Sequence, residues 1–343
     1  MPIQMRNLHP QLQAAVRSGA FGQAYPTILP LYVDASHPAA GDDGPGTNPN
    51  SPFATIQAAI DAAEPEQTIY IAPKTIAAGA TDPSNYAETL TIGIGLNGLR
   101  LIGYSNGVVQ GAQPQISTGA ASTTSPLLTI RSPGVLITGL SLIGDGCTGG
   151  GILLDELTST ATAFGFSAED CMFTNIVGSG AAATGGAIFW TSNGGAWQLN
   201  MMENRLIDCR GGLVLPGTSS SRPTHVVVQY NHFGSTVNTT VDCDIYLAGG
   251  SGAQGVVIDS NVFATVDVPA YATSPTAARY VDLTGCEGIM SNNFFACISD
   301  GTSAKTFKAA GDAAKVPATV RMVGNYGEAA DDSTHAGGIE RVT

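Results

Sequence analysis

A repeat of about thirty residues constrains this chain more than any other feature of its sequence. Short strand-like segments such as Ile258-Asp259-Ser260-Asn261-Val262-Phe263 recur, and several place an asparagine two residues before an aromatic or aliphatic residue. Subtracting residue numbers gives steps of 31, 33, 27, 30, 32 and 32 between Leu140, Cys171, Asn204, Asn231, Asn261, Asn293 and Asn325. Unequal steps near thirty are typical of a β-solenoid, in which each coil contains several short strands and the turns absorb insertions. The repeat therefore predicts an all-β solenoid.

The recurring asparagines have a structural interpretation. Asparagine tolerates a positive φ at a turn, and its amide can bond the equivalent amide one coil above. We therefore predict an internal ladder made of Asn204, Asn231, Asn261, Asn293 and Asn325. The residue two places later should point inward and stack with its counterparts. The predicted core contains Ile69, Ile71, Leu101, Ile137, Leu142, Phe173, Leu206, Phe233, Phe263, Phe295 and Val323.

Composition excludes several classes of protein. The chain has 27 acidic and 14 basic residues among 343, which gives a net charge of -13. Such a charge repels a nucleic-acid backbone. With 43% hydrophobic and only 12% charged residues, the chain does not resemble a disordered protein. The sequence also lacks the unbroken apolar run of about 18 residues that a membrane-crossing helix requires. Nucleic acid and membrane are therefore not expected partners.

The six cysteines never approach a C-x-x-C spacing. That spacing is typical of structural zinc sites and of thioredoxin-like redox sites, so neither site is predicted. Buried free thiols that pack as small hydrophobic residues are the favoured interpretation. No cofactor and no metal ion is predicted for this chain.

The chain is predicted to have three parts. Residues 1–30 form an arm in which Leu8, Leu12 and Val16 are spaced like one face of a short helix, and we interpret this arm as a docking segment. The solenoid is expected over residues 31–327, and a polar tail over residues 328–343. Residues 1–25 contain no apolar run of signal-peptide length, so synthesis without secretion is expected.

The start of the solenoid resembles a known superfamily. The relevant residues are Tyr32-Val33-Asp34, Gly46-Thr47, Pro52-Phe53, Thr55-Ile56, Ala59-Ile60, Ala63, Ile69-Tyr70-Ile71-Ala72-Pro73, Tyr86 and Glu88. Together they are similar to the N-terminal segment of pectin-lyase-like right-handed parallel β-helix proteins. The resemblance implies a single-stranded right-handed parallel β-helix with a short N-terminal capping helix. Members of this superfamily include bacterial polysaccharide-degrading enzymes, surface adhesins and phage tailspikes, so the resemblance is specific for fold and not for activity.

Acidic residues on the repeat are the candidates for catalysis. A polysaccharide hydrolase needs two carboxylates at one bond, and a lyase needs a base with a neutralising cation. Asp242 and Asp244 are two residues apart and would share one strand face, with Asp208 on a neighbouring coil. The alternative, which the sequence favours, is that Asp242 and Asp244 are exposed acids without a catalytic role. Basic residues on nearby coils are Arg205, Arg210 and His232.

A second acidic group and two tryptophans are further candidates. The second group, predicted at a loop edge, contains Asp155, Glu156, Glu169 and Asp170. Trp190 and Trp197 could stack on sugar rings or hold a loop onto the solenoid. Pectin-degrading hydrolases of the similar fold carry Asn-Thr-Asp, Gly-His-Gly and Arg-Ile-Lys, and none of these strings occurs in this sequence. The resemblance therefore implies no catalytic residue.

These observations favour a non-enzymatic structural or interaction protein of a phage virion, either a capsid decoration or a tail-associated β-helix docked by its N-terminal arm. Its expected partners are capsid or tail proteins and further copies of the chain, with a trimer as the form typical of phage solenoids. The virion is the expected location, after synthesis in the host cytoplasm. The alternative is a tailspike-like polysaccharide depolymerase, a hydrolase or lyase that acts on a surface glycan.

Overall fold

A computed structural model describes fourteen stretches of the chain. They comprise residues 28–75, 85–104, 112–118, 124–145, 147–156, 162–176, 185–190, 197–217, 222–235, 243–249, 252–265, 279–297, 314–327 and 339–342. The predicted arm helix with Leu8, Leu12 and Val16 lies outside these residues. Among the described residues, no helix is long and apolar enough to cross a membrane.

The fold is an all-β parallel solenoid made of three sheets. Sheet I contains ten strands: β1 (Leu31–Val33), β2 (Thr68–Ile71), β5 (Arg100–Gly103), β8 (Leu136–Thr138), β11 (Ser167–Glu169), β14 (Asn200–Met202), β17 (Val227–Gln229), β20 (Gln254–Asp259), β23 (Glu287–Ser291) and β26 (Val320–Val323). Sheet II contains nine strands: β3 (Asn85–Ala87), β6 (Gln115–Ser117), β9 (Ser141–Ile143), β12 (Met172–Thr174), β15 (Arg205–Ile207), β18 (His232–Ser235), β21 (Val262–Thr265), β24 (Phe294–Cys297) and β27 (Tyr326–Gly327). Sheet III contains nine strands: β4 (Leu90–Ile92), β7 (Leu128–Ile130), β10 (Ile152–Leu154), β13 (Ile188–Trp190), β16 (Gly211–Val214), β19 (Cys243–Tyr246), β22 (Arg279–Asp282), β25 (Ala314–Pro317) and β28 (Ile339–Val342).

From β2 onward, each strand pairs in parallel with the strand three positions later in the chain, so successive coils stack one residue column on another. The stacking confirms the solenoid that the repeat predicts. The last strand, β28, pairs with β25 and lies inside the predicted polar tail of residues 328–343. The sheet thus extends beyond the boundary placed at residue 327, because backbone pairing with β25 does not depend on the polarity of the tail.

A single six-residue helix, α1 (Ile56–Asp61), lies between β1 and β2 in the described part of the chain and packs against β1, β2 and β4. Thr55 caps its N-terminus, since its hydroxyl accepts a hydrogen bond from the Ala58 N–H. The Glu88 carboxylate accepts the N–H groups of Ile56 and Gln57 at 3.0 and 2.9 Å. Glu88 therefore ties the helix to the turn between β3 and β4.

The core is a set of stacked columns inside the solenoid. In sheet II the phenylalanine rings of Phe233, Phe263 and Phe295 stack at centroid distances of 4.8 Å with 6° between planes. That distance equals the spacing of neighbouring strands, so identical residues at equivalent positions stack without strain. All predicted core residues are buried except one.

The exception is Val323, which is 46% exposed, so its prediction as a core residue is wrong. Met322 pairs with the buried Met290 and continues the inner column, whereas Val323 pairs with Ser291 on the outer face. Side chains alternate between the two faces of a strand, so only one of two adjacent residues can point inward. A shift of one residue in the register of the repeat accounts for the error.

The predicted asparagines form a continuous hydrogen-bonded column at the turn from sheet I to sheet II. In each step the side-chain Oδ1 of one asparagine accepts the backbone N–H and the Nδ2–H of the asparagine one coil earlier. The Nδ2 also donates to a sheet I carbonyl of the preceding coil, for example from Asn261 to Val228 at 2.9 Å. The column therefore satisfies buried backbone groups at a turn where the ladder of the sheets is interrupted.

Candidate functional site

A groove with aromatic walls lies on the outer face of sheet I, across the first three coils. Strand alternation directs Leu31, Val33 and Ile69 into the core, so the residues between them face outward. Tyr32 and Tyr70 occupy equivalent outward positions in paired strands. Their ring centroids are 5.8 Å apart with 25° between planes, so they stack along the solenoid axis.

The floor of the groove is the column that follows the strand ends. Asp34, Ala72 and Tyr104 come directly after Val33, Ile71 and Gly103, which pair with one another. The coils stay aligned there, since the Ala72 N–H donates to the Val33 carbonyl at 2.8 Å and the Tyr104 N–H to the Ile71 carbonyl at 2.7 Å. Because Ala72 carries only a methyl group, a depression remains between Asp34 and Tyr104.

The loop over residues 41–53 forms the opposite wall with Pro49 and Pro52. It is fixed to β1, since the Tyr32 N–H donates to the Gly46 carbonyl at 2.9 Å and the Phe53 N–H to the Tyr32 carbonyl at 2.8 Å. The resulting cavity has a volume of about 590 Å³. This volume lies within the range of small-molecule sites, roughly 300–1,000 Å³.

The groove combines aromatic surface with unused hydrogen-bonding groups. Tyr104 is 61% exposed, so much of its ring is open to a ligand, while the stacked Tyr32 and Tyr70 present their edges. None of the three phenolic hydroxyls hydrogen-bonds within the described part of the chain. Asp34 supplies the carboxylate of the lining, and its Oδ1 accepts the Ser36 N–H at 2.9 Å. The site can therefore stack against a flat apolar surface and bind several hydroxyls.

Replacing Gly46 by alanine is expected to destabilise the protein by about 3 kcal/mol. Gly46 has a φ of 59°, and an added Cβ would lie 2.0 Å from the ring of buried Phe53. Chemical denaturation would measure the loss. Gly134→Ala is the matched control. Gly134 has a φ of 70°, but an added Cβ would lie 3.5 Å from its nearest neighbour, the backbone N of Gly98. The control should lose about 1 kcal/mol from its left-handed backbone alone. Equal losses in both variants would show that the contact between Gly46 and Phe53 does not hold the loop.

The structure changes the interpretation of the predicted acidic site. Asp242 lies outside the described residues. Asp244 is only 7% exposed, so it is not an exposed strand acid, and burial raises its pKa to about 8. Asp208 is also buried and adopts a φ of 55° at a turn. Burial raises the pKa of the neighbouring Cys209 thiol to about 12, and the charges of Asp244 and Asp208 add to this effect.

The reason for the burial of Asp244 is its place in the coil. Asp244 lies between Cys243, which pairs with Gly211 and Arg279, and Ile245, which pairs with Leu213 and Val281. The equivalent residue one coil later, Tyr280, packs its ring against Phe263 and Phe295 inside the solenoid. The column to which Asp244 belongs therefore faces the core. A carboxyl in the core cannot act on a polysaccharide that binds the outside of the solenoid.

The other candidates from the sequence do not meet at one place. Arg205 and His232 are paired surface residues on sheet II, and partial desolvation, followed by the charge of Arg205, lowers the pKa of His232. Asp155 forms an ion pair with Arg131 at 2.9 Å. Glu169 and Asp170 lie at the turn from sheet I to sheet II, whereas Asp155 and Glu156 follow a sheet III strand.

The tryptophans and cysteines also have defined places. Trp190 is buried and its Nε1–H donates to the Pro216 carbonyl at 2.9 Å, whereas Trp197 is exposed. The described cysteine side chains are buried free thiols, as the sequence predicts: Cys147, Cys171, Cys209, Cys243 and Cys286. Within the described ranges, no three His, Cys, Asp or Glu side chains are grouped to hold a metal ion.

The groove was not predicted from the sequence, although some of its residues stood out there. In the sequence, Tyr32-Val33-Asp34 and Ile69-Tyr70-Ile71 indicate the fold and predict no site. Alternation within each strand would have placed Tyr32 and Tyr70 on the outer face. No sequence pattern predicts that Pro49 and Pro52 line the groove, since the path of a loop over a sheet does not follow from its composition.

Comparison with known proteins supports the fold. No protein-family model and no characterised protein sequence matches this chain. A GH136 lacto-N-biosidase from Eubacterium ramulus is similar in structure at 11% identity and a TM-score of 0.59, over 87% of this chain. The match covers 55% of that enzyme, so this chain spans about half its length.

Two further structures are similar at lower scores. An alginate lyase from a Paenibacillus species has 15% identity and a TM-score of 0.46, over 84% of this chain and 95% of the lyase. ORF18 of Geobacillus virus E2 has 10% identity and a TM-score of 0.42, over 96% of this chain and 62% of the viral protein. The similar structures are pectin-lyase-like parallel β-helix proteins, and this chain shares their fold.

Proposed function

We propose that the protein binds a carbohydrate in the tyrosine groove formed by Tyr32, Tyr70, Tyr104, Asp34, Ala72 and the loop over residues 41–53. The single observation that carries the proposal is the combination of an open tyrosine ring, three phenolic hydroxyls without a partner among the described residues and one carboxylate in a cavity of about 590 Å³. Sugar rings present C–H groups on their faces and hydroxyls around their rims. Both surfaces therefore have partners in the groove.

The two kinds of contact have separate roles. Tyrosine supplies a large rigid contact area at small cost in conformational entropy, so stacking on Tyr104 contributes affinity. The Asp34 carboxylate accepts sugar hydroxyls in charge-assisted hydrogen bonds, which are stronger than neutral ones and fix orientation. The stacked Tyr32 and Tyr70 place two further hydroxyls along the solenoid axis. A chain of sugar units that crosses successive coils would meet all of these groups.

Binding and cleavage are separate steps of this proposal. The sequence favoured a non-enzymatic protein, but that preference gains no support, since most of the similar structures are polysaccharide hydrolases, lyases or esterases. Glycoside hydrolysis normally uses two carboxylates, and Asp34 is the only one among the lining residues that the structure describes. Carbohydrate binding is therefore the function that the groove supports best. A virion role for the N-terminal arm stays a prediction from the sequence.

Tyr104→Ala is expected to lower the affinity for a bound polysaccharide about tenfold or more, because it removes the stacking ring. Affinity electrophoresis against a panel of bacterial and plant polysaccharides would measure this change. Tyr230→Asn is the matched control, since Tyr230 is 57% exposed at a turn of another coil, with a φ of 57°. Asn292 occupies the equivalent turn position, so asparagine is tolerated there.

Equal retention of wild type and Tyr104→Ala by every polysaccharide would refute the proposal. The same mixtures should be assayed for new reducing or unsaturated ends. Release of such ends by wild type but not by Asp34→Asn would extend the proposed function from binding to depolymerisation.

A further inference from the structure

We propose that the tyrosine groove selects uncharged glycans and discriminates against glycans that carry carboxylates. This inference rests on the proposed function, because it concerns which carbohydrate the same groove accepts. It follows from the charge of the lining residues, and it separates polymers of neutral sugars from polymers of uronic acids.

The lining contains one charged side chain, and that side chain is negative. The eight lining residues are Tyr32, Val33, Asp34, Pro49, Pro52, Tyr70, Ala72 and Tyr104, and none is lysine, arginine or histidine. Among the residues that the structure describes, the Asp34 side chain accepts one hydrogen bond, from the Ser36 N–H to Oδ1. The Oδ2 of Asp34 therefore offers a ligand an acceptor that a hydroxyl can satisfy and a second carboxylate cannot.

Nearby basic residues do not neutralise the groove. The Nδ1 atom of His37 accepts the Ala39 N–H at 3.1 Å, and His37 does not line the cavity. Arg100 faces outward in the column that begins with Thr68, and Lys74 lies two residues beyond Ala72, and neither residue lines the cavity. The whole chain adds to the effect, because acidic residues outnumber basic residues by 27 to 14. A polyanion is thus repelled both at the site and during its approach.

The discrimination is electrostatic and therefore depends on salt. Two like charges at hydrogen-bond range repel, and salt screens the repulsion over a Debye length of about 10 Å at 0.1 M. A neutral glycan bound by stacking and hydroxyl contacts should show little dependence on salt. A carboxylated glycan should bind more weakly, with a difference that narrows as salt rises.

Matched polymers test this inference. Glucan, galactan and mannan would each be compared with the derivative in which the C6 hydroxymethyl group is oxidised to a carboxylate, so that the backbone is unchanged. Using affinity electrophoresis of the full-length chain, we expect each bound neutral polymer to bind at least tenfold tighter than its oxidised form at 0.05 M salt. The ratio of the affinity for the neutral polymer to the affinity for its oxidised form should fall severalfold at 0.5 M salt.

Asp34→Asn is the diagnostic variant. The asparagine Oδ1 can still accept the Ser36 N–H, so the turn should stay intact while the charge is lost. We expect Asp34→Asn to bind the neutral polymer more weakly than wild type does. Its ratio of affinities for the neutral and the oxidised polymer should approach one. Glu287→Gln is the matched control, because it removes one exposed negative charge on β23, in a distant coil, and should leave the ratio unchanged.

The outcomes separate the two proposals. Oxidised polymers that bind as tightly as neutral ones, in a manner that Tyr104→Ala abolishes, would overturn the discrimination and leave carbohydrate binding in place. If no polymer is retained in a way that depends on Tyr104, both the discrimination and the carbohydrate binding are overturned. If Asp34→Asn prefers the neutral polymers as strongly as wild type does, the inference is also overturned. The charge of Asp34 would then not be the cause of the preference.

Discussion

Replacing Asn261 by alanine is expected to lower the free energy of unfolding by about 3–5 kcal/mol. The Asn261 side chain accepts the backbone N–H and the Nδ2–H of Asn231 at 2.9 and 3.0 Å. It donates to the Val228 carbonyl and to the Oδ1 of Asn293, both at 2.9 Å. Alanine would leave several of these buried groups without partners. Chemical denaturation followed by circular dichroism would measure the loss.

Asn325→Ala is the control at the end of the ladder. Asn325 accepts from Asn293 at 3.1 and 2.8 Å and donates to Met290 at 2.7 Å, but it is only partly buried. Water can replace part of its bonding, so the expected loss is about 1–2 kcal/mol. A loss in Asn261→Ala no larger than the loss in Asn325→Ala would contradict a cooperative buried ladder.

Asp244→Asn is expected to stabilise the protein by several kcal/mol at pH 8 and to leave its stability near pH 4 almost unchanged. Burial raises the pKa of Asp244 to about 8 in the folded chain, whereas an aspartate in an unfolded chain titrates near 3.9. Between these values the folded state holds a proton that the unfolded state has lost. Stability therefore falls as the pH rises through this window, by about 1.4 kcal/mol per pH unit from this group.

Denaturant unfolding at a series of pH values between 4 and 9 would measure the slope for wild type and variant. The group contributes its full stability below about pH 4 and has lost it above about pH 8. Asp43→Asn, at an exposed loop position, is the control for the change in net charge. If the free energy of unfolding depends on pH in the same way for wild type and Asp244→Asn, burial does not raise the pKa of this carboxyl.

Much of the fold follows from local chemistry. Each asparagine step is fixed by the coil length, so the register of the ladder can be obtained from the spacing of the asparagines alone. The aromatic residue two places after the asparagine is buried at Phe233, Phe263 and Phe295, because identical rings one coil apart can stack on one another. The prediction fails at Val323, because both Met322 and Val323 on β26 are apolar and the inward position, paired with the buried Met290, is Met322.

The candidate site was harder to predict because it depends on where coils turn. Asp244 has the sequence context of an exposed strand acid, yet its column turns into the core beside Tyr280. Two carboxylates two residues apart share a face only while the strand stays regular. The tyrosine groove depends on three coils and on a loop that crosses them. Residues brought together over such distances have no common sequence spacing.

Hydroxyl-radical footprinting with and without bound polysaccharide tests the central claim most directly. Tyr104 and Tyr230 are 61% and 57% exposed, so they should be oxidised to similar extents in the free protein, with Tyr230 as internal reference. With a polysaccharide retained in affinity electrophoresis, we expect strong protection of Tyr104, protection of Tyr32 and Tyr70, and none of Tyr230. Unchanged oxidation of Tyr104 in the saturated complex would place the carbohydrate elsewhere and contradict the account.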